Sequence, residues 1–212
     1  MNNKIRNKIN ETKKKIEVNK TEKENRLINE GFNLFITQGI NNTSVQDIVD
    51  KANVAKGTFY LYFKDKYELR DRIIKYKSQK LFNEALKNLE KNYIEDFFDQ
   101  FIYVINYVID ELSKNPLLLK LIEKNLNYGI SNKLIMDIHA NYELEEKSIY
   151  DLFINGISKN NIKLDNPEVT FFMIVELVSS TIFSSILFKE PLPIDEYKPI
   201  LYKQIRNMLK QS

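Results

Sequence analysis

The chain has no cysteine, one histidine and only five glycines in 212 residues. Without thiols it can form neither a disulfide nor a thiolate metal site. A single imidazole, His139, leaves no multi-histidine metal centre and no histidine-based triad. No nucleophile paired with a base, no glycine-rich phosphate loop and no cluster of metal ligands is present, so the sequence predicts no enzyme and no cofactor. The longest apolar stretch, residues 171–188, contains Glu176 and five Ser or Thr residues. It is a poor membrane span, and no signal-peptide pattern opens the chain, which together predict a soluble cytoplasmic protein. Strand alternation, internal repeats and low-complexity linkers are also missing.

What remains is helical patterning in a chain that is 43% hydrophobic, enough for one large or two modest domains. The net charge of +3 is unevenly spread. Residues 1–70 carry 14 Lys or Arg against 9 acidic residues, whereas the remainder carries 18 against 20. Most of the excess lies in residues 1–20, where Lys4, Arg6, Lys8, Lys13, Lys14, Lys15 and Lys20 face only Glu11 and Glu17. This basic arm reads as a disordered, solubilising tail, with contact to phosphates or a minor groove as its second role.

Caps and breakers order the rest. Thr21 and Glu24 form a capping box for a helix through Leu27, Ile28, Phe32 and Phe35 that stops at Gly39. Thr43 and Gln46 form a second box ahead of Val45, Ile48, Val49 and Ala52, an i, i+3, i+4, i+7 stripe. After Asn53-Val54 the next helix separates Ala55, Phe59, Tyr62 and Phe63 from Lys56, Gly57, Tyr60 and Leu61, a core face and a functional face. Asp65 and Glu68 start another helix, with Lys66 beside free backbone N–H groups that favour anions. Two short helices joined by a tight turn and followed by a third start make a helix-turn-helix.

Residues 24–70 resemble the DNA-binding domain of the TetR family of bacterial transcriptional regulators. The resemblance is carried by Phe35, Gly39, Thr43-Ser44-Val45, Asp47-Ile48, Ala52, Val54, Lys56-Gly57-Thr58, Phe59-Tyr60, Phe63, Lys66 and Leu69. Two residues depart from the usual pattern: Tyr62 stands where histidine is frequent, and Leu61 where other aromatic or polar residues occur. The resemblance implies an all-α chain with a reader over 21–67 and a helical regulatory and dimerisation domain over 68–212. It places Lys56, Gly57, Thr58, Tyr60 and Leu61 near base edges of double-stranded DNA. Thr43, Ser44, Gln46, Tyr62 and Lys66 fall to backbone positioning. Packing is the competing role for Tyr62, and capping for Thr43.

The second half predicts a long helix over about 65–91. A further helix bears Phe97, Phe101, Ile105 and Leu112 and is ended by Asn115-Pro116. Others follow from about Asn132 to Gly156, from about Asn166 and from about Asp195. Apolar residues circle nearly the whole of the helix at 167–188, so it must be buried on all sides. A second subunit explains that most naturally, with burial inside the chain itself as the competing reading, and a homodimer face is expected at Phe172, Val175, Ser179, Ile182, Phe183 and Ile186, joined by Ile205 and Met208 of the last helix. Polar groups in apolar helices mark ligand candidates: Tyr103, Asn106, Tyr107, Asn127, Tyr128, His139 and Glu176. By the resemblance, a small-molecule effector entering here moves the long helix and releases an operator. The alternatives are an architectural, nucleoid-type DNA binder of the same fold without an effector, and an enzyme built on the C-terminal helices.

Overall fold

The computed structural model describes residues 21–125 and 149–210. The basic arm, Asn127, Tyr128 and His139 lie outside the described residues, as does most of the helix expected from Asn132. Two compact units meet in sequence between Tyr76 and Lys77, and each is a set of helices. Among the described residues there is no strand.

In the first unit, helix α1 covers residues 21–38 and stops at Gly39, whose φ of +82° takes the chain into the left-handed region that favours glycine. Thr21 is already helical. Helix α2, Val45–Ala52, buries the Ile48, Val49 and Ala52 stripe and ends at Asn53 in the left-handed conformation. Helix α3, Lys56–Tyr60, is only five residues long. So short a helix has little stability of its own. Two buried rings, Phe59 and Phe63, with centroids 5.5 Å apart, anchor it and the turn after it. Helix α4, Lys66–Glu90, packs its start under α1. A Cβ on Gly31 would sit 2.7 Å from a methyl of Leu69, so that contact depends on glycine.

The capping of α2 differs from the sequence reading by one residue. The cap is Ser44: its hydroxyl accepts from Asp47 N–H at 3.1 Å, and Asp47 accepts from Ser44 N–H at 2.8 Å. Thr43 turns inward instead, 1% exposed, and donates to the Gly39 carbonyl at 2.8 Å. Two adjacent cap-forming residues were available, and the close of the preceding loop chose between them.

The second unit holds the rest of α4 and helices α5 (Phe97–Lys114), α6 (Pro116–Asn125), α7 (Ile149–Lys159), α8 (Pro167–Leu187) and α9 (Ile194–Leu209). Asn115 ends α5 and caps α6 by accepting from Leu118 N–H at 3.0 Å, with Pro116 opening the new helix as its spacing predicts. The core joins Phe101, Val104, Ile109, Phe153, Phe171, Ile174, Leu201 and Ile205, and the Phe153 ring meets those of Phe97, Phe101 and Phe171 at 6.5, 5.5 and 5.3 Å. Gly156 lets α7 lie against that cluster, since a Cβ there would fall 1.9 Å from the Phe97 ring.

Helix α9 runs antiparallel to α5 along a row of polar contacts made from every fourth residue of α9. Lys198 pairs with Asp110, the Tyr202 hydroxyl donates to Asn106 at 2.7 Å, and Arg206 reaches Asp99 at 3.2 Å while stacking over Phe98. Burial, helped by the Asp110 charge, pushes the Tyr202 hydroxyl far above the usual phenol range, so it stays a donor. Helix α8 is long and apolar enough to cross a membrane by length and composition, yet it packs against α6, α7 and α9. It is not buried all round. Phe171, Ile174, Ile182 and Ser185 turn inward, most of the others are half-buried, and Val169 and Met173 are exposed.

Candidate nucleic-acid interface

Three parts of the first unit hold the residues expected to meet DNA: the cap of α2, the face of α3 opposite its anchoring rings and the start of α4. On α3, Lys56, Gly57 and Tyr60 are exposed and Thr58 is half-buried; Leu61 follows as the C-cap and is 79% exposed. A Cβ on Gly57 would meet nothing within 4 Å. The fold therefore does not require glycine there, and a close approach from outside is the remaining physical reason for one. Tyr60 is held edge-on by Phe59, with centroids 5.4 Å apart and planes at 82°. Ala55, which the helical spacing places on the core face, is exposed as the N-cap of α3.

Ser44 and Gln46 are exposed at the start of α2. The Gln46 amide donates to Asp50 at 2.8 Å, four residues on. Thr43, expected at this surface, is buried and spends its hydroxyl on Gly39, which removes it from any contact with a partner. Tyr62 is half-buried beside Phe63, and burial together with the Glu24 charge raises its phenol.

Lys66 does more locally than its sequence position implies. Its ammonium donates to the Thr43 carbonyl at 2.8 Å and to that of Asn41 at 3.2 Å, tying the first residue of α4 to the loop before α2. An ammonium has three donors, so one remains. The neighbouring backbone N–H groups are not free: Asp65 accepts from Tyr67 at 2.8 Å and Glu68 at 2.9 Å, and Glu68 accepts from Lys64 rather than from Asp65.

The second unit offers a groove of about 610 Å3 lined by Leu86, Leu89 and Glu90 of α4, residues 91–94, Gln100 of α5, and Asp151, Leu152, Asn155 and Lys159 of α7. Of the ligand candidates among the described residues, Tyr103, Asn106, Tyr107 and Glu176, none lines it. The Tyr103 hydroxyl accepts from Asn92, a lining residue, at 3.0 Å. Asn106 is spent in the row between α5 and α9, where it also donates to Asp110 at 2.8 Å. The Tyr107 phenol is pushed up by burial and the Glu111 charge. Glu176 keeps one carboxylate oxygen enclosed and without a partner among the described residues. Nothing in the sequence marks the groove, because three separate helices make it. Of the expected dimer residues, Phe172, Val175, Ser179, Phe183, Ile186 and Met208 are half-buried, whereas Ile182 and Ile205 are 2% and 0% exposed in the chain's own core and so are not presented to a second subunit.

A capped α2, a tight turn and a short outward α3 anchored by two buried rings make a helix-turn-helix, the form of a DNA-binding domain. Residues 27–73 match the family model of bacterial regulatory proteins, tetR family. The helix-turn-helix unit of this chain belongs to the TetR family of bacterial transcriptional regulators. A helix-turn-helix transcriptional regulator of Haemophilus influenzae is 29% identical over 143 residues, 66% of this chain and 71% of its own length. The fold is similar to that of FadR from Bacillus subtilis, solved in complex with stearoyl-CoA, with a TM-score of 0.63 and 17% identity over 85% of this chain and 96% of that one. It is also similar to RolR in complex with resorcinol, with a TM-score of 0.61 and 14% identity over 90% and 89% of the two chains.

Proposed function

We propose that the protein is a homodimeric repressor that binds a pseudo-palindromic operator in the cytoplasm and is released from it by a small-molecule effector. The observation that carries the reading is the span of α4. One continuous helix begins with Lys66 tied to the loop before α2 and, near its other end, lines the 610 Å3 groove with Leu86, Leu89 and Glu90. A molecule that fills the groove displaces α4, and the Lys66 tie transmits the displacement to the start of α2. In the operator complex without effector, Lys56, Gly57, Thr58, Tyr60 and Leu61 face bases, while Ser44, Gln46 and the third donor of Lys66 serve phosphates. Tyr62 acts through packing.

The dimer rests on α8. Its half-buried Phe172, Val175, Ser179, Phe183 and Ile186, with Met208 of α9, form the face that a second copy covers. The groove joins leucines to a few amide and charged groups, a lining suited to a ligand with an apolar body and one polar end. Stearoyl-CoA and resorcinol, bound by proteins of similar fold, set the chemistry to try first. Adding a long-chain acyl-CoA, a free fatty acid or a small phenol to the operator complex is expected to lower operator affinity for one of the three. Unchanged affinity with all of them would count against release by apolar effectors. Genome-wide occupancy at many sites rather than a few promoters would favour the architectural alternative.

A further inference from the structure

The chemistry of α3 limits which bases it can read. From Lys56 to Leu61 the chain offers no Arg, Asn, Gln, Asp or Glu. These are the side chains that make bidentate bonds to guanine or adenine or accept from cytosine; Lys56 is the one cation left for a guanine edge, and the half-buried Thr58 hydroxyl can bond a base edge without discriminating strongly among bases. What the surface offers instead is apolar. Leu61 is 79% exposed and Tyr60 55%, side by side, and the Phe59 ring fixes the edge of Tyr60. Single exposed leucines are common on protein surfaces. Here two large apolar groups are adjacent in sequence and both exposed, and they end a helix whose Gly57 leaves open space. In the major groove the one apolar feature on a base edge is the 5-methyl group of thymine.

We infer that each operator half-site is read through thymine methyl groups, with Leu61 and Tyr60 as the residues that determine specificity. The inference rests on α3 being the base-reading helix. Leu61 covers one thymine methyl, and the Tyr60 ring covers a second within the same half-site. The remaining specificity comes from Lys56 and from the deformability of the site, so the consensus is rich in A·T pairs around those thymines.

The test begins with selection of bound duplexes from random DNA by the full-length protein. Each thymine of the selected half-site is then replaced singly by deoxyuridine, which removes the methyl and leaves every hydrogen bond. At one or two positions affinity is expected to fall about fourfold, the value of one buried methyl group. Leu61→Ala is exposed and leaves the fold intact; at the position Leu61 covers it is expected to bind the thymine and uracil duplexes equally. A selected site that tolerates uracil at every position overturns the inference and leaves α3 as a reader by other means. Equal uracil sensitivity in the wild type and in Leu61→Ala removes Leu61 from the role. Failure to enrich any sequence overturns the reading of α3 itself.

Discussion

Gly57 is a residue whose chemistry points outward rather than into the fold. With nothing within 4 Å of its missing Cβ, Gly57→Ala is expected to leave the melting temperature unchanged or raise it, since alanine in a helix is favoured by up to about 1 kcal/mol. Operator affinity is expected to fall in the same variant. Loss of both together would make Gly57 a structural residue. Lys66→Ala is expected to weaken binding to every DNA sequence and to flatten the salt dependence by about one unit of slope, as loss of one phosphate contact should. An unchanged slope would confine Lys66 to its bonds with Asn41 and Thr43. Asp47 carries the pH dependence of the α2 cap. The Ser44 backbone and side-chain bonds hold its carboxyl below the ordinary value of 3.8. The folded state therefore favours the charged form, and the cap's stabilisation is full above that ordinary value and disappears as pH falls through the lowered one. Ser44→Ala is expected to bring the Asp47 titration back toward the ordinary value by NMR.

At the scale of helices, legibility depended on whether a signal was local. The stripe of α2, the Asn115-Pro116 junction and the helix start at about Asn166 rest on neighbours in sequence and stand as read. The one-residue shift from Thr43 to Ser44 was not legible, because both residues can cap and the choice lay with the Gly39 carbonyl across the loop. The bonds of Lys66 to residues 23 and 25 positions away, and the groove between α4, α5 and α7, depend on tertiary placement that no spacing encodes. Gly156 was equally silent in the sequence. Its contact with Phe97 makes Gly156→Ala an overpacking change in the core of the second unit, expected to cost about 1 to 3 kcal/mol in chemical denaturation. Full stability of that variant would mean that α7 can move off α5 freely.

For the whole molecule, the sequence pattern of α8 told that it needed cover but not from which side. The chain's own core takes Phe171, Ile174 and Ile182, and the half-buried residues around them form the face assigned to a second copy. Charge placed there, as in Val175→Glu, is expected to yield monomers by sedimentation and to weaken operator binding, because each half of the site is then bound alone. A dimer that survives Val175→Glu would move the interface elsewhere. The central claim is a symmetric pair of α3 readers on one operator, and footprinting on a sequence selected from random DNA tests it most directly. Two inverted half-sites are expected, with centres one helical turn or a multiple of it apart, roughly 34 to 36 Å per turn. A single asymmetric half-site, fully protected by the wild-type protein, would contradict it.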